Sequence, residues 1–210
     1  MSTETRDFDH EAAGWDEHPT RVQLAQDVAS AIARAVPLGP TMDVLDFGCG
    51  TGIVTLQLAP SVASITGVDS SAGMLEVLKA KIDRQGHTNV TTRQLHPGDE
   101  VSGSYHLIVS RMTLHHIADI DAQLTQFFRA LKASGWLCVA DLDPEQGEFH
   151  DDNTGVFHCG FDRDALRRAF VRAGFADVHD VTAAEVVKPT QRSGLRTFRV
   201  FLMTGQKTAK

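Results

Sequence analysis

The chain has no excess of positive charge. Its 210 residues carry 20 Lys and Arg against 27 Asp and Glu, a formal net charge of -7. Its basic residues are scattered, with only short pairs such as Arg167-Arg168. A chain of that balance lacks the electrostatic footprint of a polyanion binder, so no nucleic-acid partner is expected. Cysteines are few and odd in number: Cys49, Cys138 and Cys159, far apart, suggest no disulfide framework. No apolar run approaches membrane-span length, and the acidic opening MSTETRDFDHEAAGWDEH lacks the apolar stretch of a secretory signal. No membrane partner is expected, and the cytoplasm is the expected compartment. There is no internal repeat, low-complexity block or interdomain linker. What remains, at 42% hydrophobic and 22% charged residues, is ordinary globular composition. At this length one well-buried domain is expected.

Residues 1 to about 6 are polar and read as disordered. An amphipathic helix is predicted from Pro19, where Val22, Ala25, Ala29, Ile32, Ala33 and Val36 recur at helical spacing until Pro37-Leu38-Gly39-Pro40 stops it. Short apolar runs then alternate with helical patterns. Strands are predicted at Met42–Phe47, Ile65–Asp69, Val90–Leu95, Tyr105–Ser110 and Gly135–Asp141. One helix is capped by Ser70 or Ser71 and buries Met74, Leu75, Leu78 and Ile82. Another is capped by Asp119, with Ile120, Leu124, Phe127, Phe128 and Leu131 on one side. A third starts at Asp162 or Asp164 and stops at Gly174. The polar stretch from Asp143 to His158 has no readable pattern. Two final strands, near Val178–Val187 and Thr197–Thr204, have no helix between them and should pair antiparallel at an edge. This alternation predicts an α/β, doubly wound, mostly parallel seven-stranded sheet of Rossmann-like form in a single domain. Residues 1–40 form an N-terminal tail and lid helix, and residues 41–210 the domain proper.

The strongest chemical signal is the run Val44-Leu45-Asp46-Phe47-Gly48-Cys49-Gly50-Thr51-Gly52, which follows a strand and opens a helix. Alternating glycines allow a sharp bend and a close backbone approach to a ligand; a bare turn would need one glycine, not an acid followed by three. Asp69, at the end of the next strand and about twenty residues past the first glycine, can accept both hydroxyls of an adenosine ribose. A dinucleotide fingerprint spaces its glycines G-x-G-x-x-G before a pyrophosphate. Here the spacing is one residue shorter, and Asp46 would repel phosphate but suit a cationic amino-acid end. S-adenosylmethionine (SAM), with an ammonium, a sulfonium and no phosphate, fits that better.

Asp46 to Gly52 resembles the first motif of class I SAM-dependent methyltransferases, and Gly67-Val68-Asp69-Ser70-Ser71-Ala72-Gly73-Met74 resembles their second. Ser110-Arg111-Met112-Thr113-Leu114-His115-His116-Ile117 is similar to the segment after strand four in the small-molecule subgroup that includes ubiquinone and menaquinone biosynthesis methyltransferases. Ala173-Gly174-Phe175 is similar to that group's segment before the last two strands. The resemblance implies SAM as cofactor, held by Asp46, Gly48, Cys49, Gly50, Gly52, Asp69, Ser70, Met74, Leu95, His96 and Ser110, with Trp15 as a cover. In it Asp46 and the glycines take the methionyl part, Asp69 the ribose, and Met74 packs near the adenine. Where the family usually has an Asp to receive the adenine amino group, this chain has Leu95-His96, so His96, Asp99 or a backbone group should replace it.

The implied reaction is in-line transfer of a methyl group to a small-molecule acceptor. His115 and His116 are the candidate catalytic residues, either able to act as a general base. Because adjacent helical residues do not share a face, at most one should point into the pocket. Trp15 either covers the cofactor or anchors the first helix, and Arg21 can reach a carboxylate. No metal site is expected: His150-Asp151-Asp152 reads as a solvated loop and His158-Cys159 as a buried edge, neither with common ligand spacing. Cys49 reads as a small filler. The rival readings are a non-catalytic SAM-binding partner or sensor module and a nicotinamide-dependent oxidoreductase. A monomer or homodimer is expected.

Overall fold

A computed structural model describes residues 7–190 and 194–208; the polar opening, residues 1–6, lies outside them. The chain begins with a one-turn helix α1 (Phe8–Glu11), a 3-10 segment (Ala12–Glu17) and the long helix α2 (Pro19–Ala35). The alternating part follows as β1 (Asp43–Phe47), α3 (Ile53–Leu58), β2 (Ser64–Asp69), α4 (Ala72–Gln85), β3 (Val90–Gln94), β4 (Tyr105–Arg111), α5 (Ile120–Ala130), β5 (Leu131–Leu142), α6 (Arg163–Ala173), β6 (Ala176–Thr190) and β7 (Gly194–Gln206). The seven strands form one sheet in the order β3-β2-β1-β4-β5-β7-β6. β1 to β5 pair parallel, and β7 runs antiparallel to both β5 and β6.

Local chemistry sets the helix boundaries. Pro19 opens α2 where its missing N–H needs no partner. Ser71, Asp119 and Asp162 cap α4, α5 and α6, each accepting a backbone N–H three residues on. Gly86 and Gly174 end α4 and α6 in the left-handed conformation. The sheet is buried on both sides. Val28, Ile32, Val54 and Leu58 of α2 and α3 pack with Val44, Leu107 and Val109 on one face. Leu124, Phe127, Leu166 and Phe170 of α5 and α6 pack with Leu45, Ile108 and Val139 on the other. α2 is thus a core helix along its inner side, with Leu24, Ala25, Val28, Ala29, Ala31 and Ile32 buried.

Three boundaries depart from the expectation. Leu131, placed by periodicity on the α5 face, starts β5, because α5 ends at Ala130 and Leu131 pairs with Tyr105. β5 therefore begins well before Gly135. β6 and β7 are longer than their apolar runs, since Lys188–Arg196 and Thr190–Gly194 continue the ladder with polar side chains. Backbone pairing carries such an extension without an apolar face.

Parallel strands end their carboxyl ends on one edge of the sheet. Strand order reverses between β1 and β4, so a crevice opens there.

Candidate cofactor and acceptor site

At β1's end the chain bends back on β2. The N–H groups of Gly48 and Cys49 both donate to Val68 O, at 2.8 and 3.0 Å. Gly48, Gly50 and Gly52 all have positive φ, yet the structure needs each for a different reason. A Cβ on Gly48 would stand 2.1 Å from Thr113 Oγ1, one on Gly52 would stand 2.2 Å from Leu78 Cδ1, and one on Gly50 would meet nothing within 4 Å. Only above Gly50 is the space open.

Asp69 joins the two motifs. Gly50 N–H donates to its Oδ2 at 2.8 Å, and Ser71 N–H to its Oδ1 at 3.0 Å. Burial pushes its pKa up, against the opposing pull of these N–H donors. Asp46 lies beneath the bend, almost fully buried, and accepts Thr55 Oγ1–H at 2.5 Å. Desolvation raises its pKa to about 6, the Thr55 bond opposing.

A cavity of about 1030 Å³ covers this edge of the sheet. Gly48, Gly50, Asp69, Ser70, Met74, Leu95, His96, Asp99, His115, His116 and Trp15 all line it. Asp46, Cys49, Gly52 and Ser110 do not. Asp46 sits below the floor, the Cys49 thiol packs against Gly67 on the α4 side, and Gly52 caps α3 against Leu78. Ser110 is buried, with its Oγ lacking a hydrogen-bond partner among the described residues. His96 N–H donates to Asp99 Oδ2 at 2.8 Å, forming a turn beside Asp69.

The N-terminal segment forms one wall. Asp9 accepts Ser71 Oγ–H and, at 2.9 Å, Gly73 N–H; Asp16 accepts Thr51 Oγ1–H at 2.7 Å and pairs with Lys81. Two carboxylates thus tie this segment to the loops after β1 and β2. Trp15 lies beneath the Arg21 guanidinium, 4.0 Å from its ring centroid, and Arg21 approaches Glu11 at 3.8 Å.

The opposite wall is the single 3-10 turn Leu114–His116. Leu114 fills the core and both histidines lie along the cavity wall, His116 partly exposed and His115 almost wholly buried. The expectation that at most one would point inward assumed a continuing α-helix, whereas the segment is a single 3-10 turn. Their environments differ. His115 is 1% exposed; its Nδ1–H donates to Asp141 Oδ1 at 2.8 Å, and its backbone N–H reaches Asp141 Oδ2 at 3.2 Å. Its Nε2 is buried with no hydrogen-bond partner among the described residues. His116 Nδ1–H donates to Gly155 O at 2.8 Å.

The stretch after β5 folds over these histidines, with Phe157 N–H donating to His115 O. Two readings of this stretch are corrected. Of His150-Asp151-Asp152, the two acids are exposed in the loop as expected, but His150 is not: its ring lies tilted 4.9 Å from that of His115, and the residue lines the cavity. Cys159 is exposed rather than at a buried edge, while His158 bonds Ile117 O at 2.9 Å. Long irregular loops have no periodicity that would reveal such packing. Among the described residues no group of three or more His, Cys, Asp and Glu could hold a metal ion, and no helix is long and apolar enough to cross a membrane. Sequence reasoning passed over Asp9, Thr113 and Asp141. Of these, only Asp141 had a usable signal: an acid ending an apolar strand at the carboxyl edge.

A glycine bend and a strand-end carboxylate meeting at the switch point of this sheet define the class I, SAM-dependent methyltransferase fold. The chain belongs to the methyltransferase domain family, whose profile matches residues 20–180. It is 36% identical over 130 residues to trans-aconitate 2-methyltransferase of Deinococcus radiodurans, covering 58% of this chain and 48% of that protein. It is 27% identical over 115 residues to the ubiquinone/menaquinone biosynthesis C-methyltransferase UbiE of Geotalea daltonii, covering 52% and 49%. The chain thus spans about half the length of these relatives. Among solved structures, a methyltransferase in complex with the Haloferax volcanii Trm112 methyltransferase activator superimposes with a TM-score of 0.78 at 19% identity, over 98% of this chain and 100% of that one. A Haemonchus contortus phosphoethanolamine N-methyltransferase 2 with SAM bound gives 0.69 at 16%, over 86% and 52%.

Proposed function

We propose that this chain binds SAM in the cavity at the β1/β4 switch point and transfers its methyl group to a small-molecule acceptor. The observation that carries the reading is the bond between Gly50 N–H and Asp69, which puts both ligand-gripping elements on one continuous wall. The residues fit the cofactor. The space above Gly50 is open, Asp69 has lone pairs beyond the two its backbone donors use, and Asp46 supplies negative charge beneath the place for a cationic amino-acid end. Gly48, Ser70, Met74, Leu95, His96 and Trp15 complete the contact surface. A cavity at or above the upper end of the roughly 300–1,000 Å³ range for ligand sites leaves room for a second molecule.

When bound, SAM supplies an electrophilic methyl group, so the protein's task is to align the acceptor and exclude water. The N-terminal segment and the stretch from Asp143 to Phe161 enclose the acceptor side, which favours a small acceptor. His115 acts as general base where the acceptor must lose a proton. Asp141 holds Nδ1–H and leaves the buried Nε2 as the atom that would take that proton, once the His116 and His150 rings packed beside it give the acceptor access. His116, committed at Nδ1 to the Gly155 carbonyl, shapes the wall.

Calorimetric titration with S-adenosylhomocysteine, and with NAD⁺ as the competing cofactor, tests this. S-adenosylhomocysteine should bind and NAD⁺ should not. Asp69→Asn, checked for an intact melting transition, should weaken S-adenosylhomocysteine by at least tenfold. Preferential NAD⁺ binding, or an indifferent Asp69→Asn, would end the reading.

A further inference from the structure

Arg111 ends β4, next to Ser110 and paired with Ala140 of β5, and its side chain lines the cavity. Most arginines that are partly shielded in this protein have a protein partner. Arg163 is held by Asp143 and Asp180, Arg196 by Glu148, and Arg93 by Ser102. Arg111 is different. Asp46 below the glycine bend, Asp141 behind His115 and Asp16 in the N-terminal wall all act on it electrostatically, but none forms an ion pair with it. No described residue accepts a hydrogen bond from its guanidinium. Desolvation is the largest influence on it, drawing its pKa down against those three acids. A planar cation with five donors, partly shielded at a cavity wall and given no acceptor by the described residues, is placed to take oxygens from a molecule in that cavity.

We propose that Arg111 anchors a carboxylate of a bound ligand, supplied either by the amino-acid tail of the cofactor or by the acceptor. The inference rests on the cavity being the ligand site argued above. A carboxylate fits better than a phosphate. Its two oxygens match the guanidinium fork with a single charge, whereas a dianion would meet repulsion from Asp46, Asp141 and Asp16 at once. Position makes both sources reachable, because the acids around Arg111 belong to the glycine bend on one side and to the His115 pair on the other.

The test compares the full chain with Arg111→Met and Arg111→Lys. Calorimetry measures S-adenosylhomocysteine and 5′-methylthioadenosine, which lacks the amino-acid tail. Thermal shift measures sodium benzoate against benzamide, with and without S-adenosylhomocysteine. If the cofactor supplies the carboxylate, Arg111→Met weakens S-adenosylhomocysteine at least tenfold and leaves methylthioadenosine unchanged. If the acceptor supplies it, benzoate stabilises the wild type more than benzamide does, and Arg111→Met erases that difference. Arg111→Lys retains part of either effect and carries the reading if the Met variant does not fold. Equal losses for charged and tail-less or neutral probes would make Arg111 structural, and no change in either arm would overturn the proposal. A wild type that binds neither nucleoside would refute the SAM reading instead; the benzoate arm would still decide on Arg111.

Discussion

Exchanging two glycines of one bend for alanine should separate folding from ligand binding. At Gly48, φ is +72°, and a Cβ would overlap Thr113 at 2.1–2.8 Å. Thr113 is stiff at χ1, and its Oγ1–H is bonded to Arg111 O at 3.0 Å, so it cannot step aside without losing that bond. A left-handed conformation costs a non-glycine residue roughly 1–2 kcal/mol, and overpacking about 1–3 kcal/mol. Gly48→Ala should therefore lose about 2–5 kcal/mol, a melting temperature lower by roughly 4–20 °C at about 2–4 °C per kcal/mol. At Gly50, φ is +54° but nothing lies within 4 Å. Gly50→Ala should bear only the conformational cost, about 1–2 kcal/mol or roughly 2–8 °C. Its methyl group stands in the cavity where the ligand must approach the backbone. An intrusion of about 1–3 kcal/mol weakens S-adenosylhomocysteine by roughly 5–150-fold. Thermal melts followed by circular dichroism, with calorimetry on the folded variants, read both quantities. A Gly48→Ala protein that melts no lower than Gly50→Ala would refute the packing argument. A Gly50→Ala protein that binds like wild type would show that the open space is not ligand space.

Two further outcomes follow from the buried acids. Asp46 has a folded pKa of about 6 against 3.8 unfolded, so between these pH values the native state holds the extra proton. Its effect is to lower stability as pH rises from about 4 through 6, by at most about 3 kcal/mol. Asp46→Asn, which can still accept from Thr55, should remove that slope and melt higher than wild type at pH 7–8; parallel melting curves across pH 5–8 would contradict it. Asp141→Asn cannot serve both His115 N–H groups and Leu142 N–H as acceptor. With an acceptor in hand, turnover should fall by roughly 10²–10⁴ while S-adenosylhomocysteine affinity changes less than threefold. Equal loss of both would make the pair a structural clamp.

Much of this molecule is written in local order. The alternation of strand and helix, the caps at Ser71, Asp119 and Asp162, and the acid-flanked glycine run are properties of neighbouring residues, and each is visible along the chain because each acts within a turn or two. The ends of β5, β6 and β7 were not visible, because pairing across the sheet overrode side-chain pattern there. Nor could order along the chain divide the labour among Gly48, Gly50 and Gly52. That depends on Thr113 and Leu78, which arrive from other elements. The same holds for the difference between His115 and His116, whose environments are set apart by Asp141, 26 residues from His115 and on another strand. Arg111 is the limiting case: its significance lies in having no side-chain partner among the described residues, and a missing contact can be recognised only once its neighbours have taken their places in three dimensions.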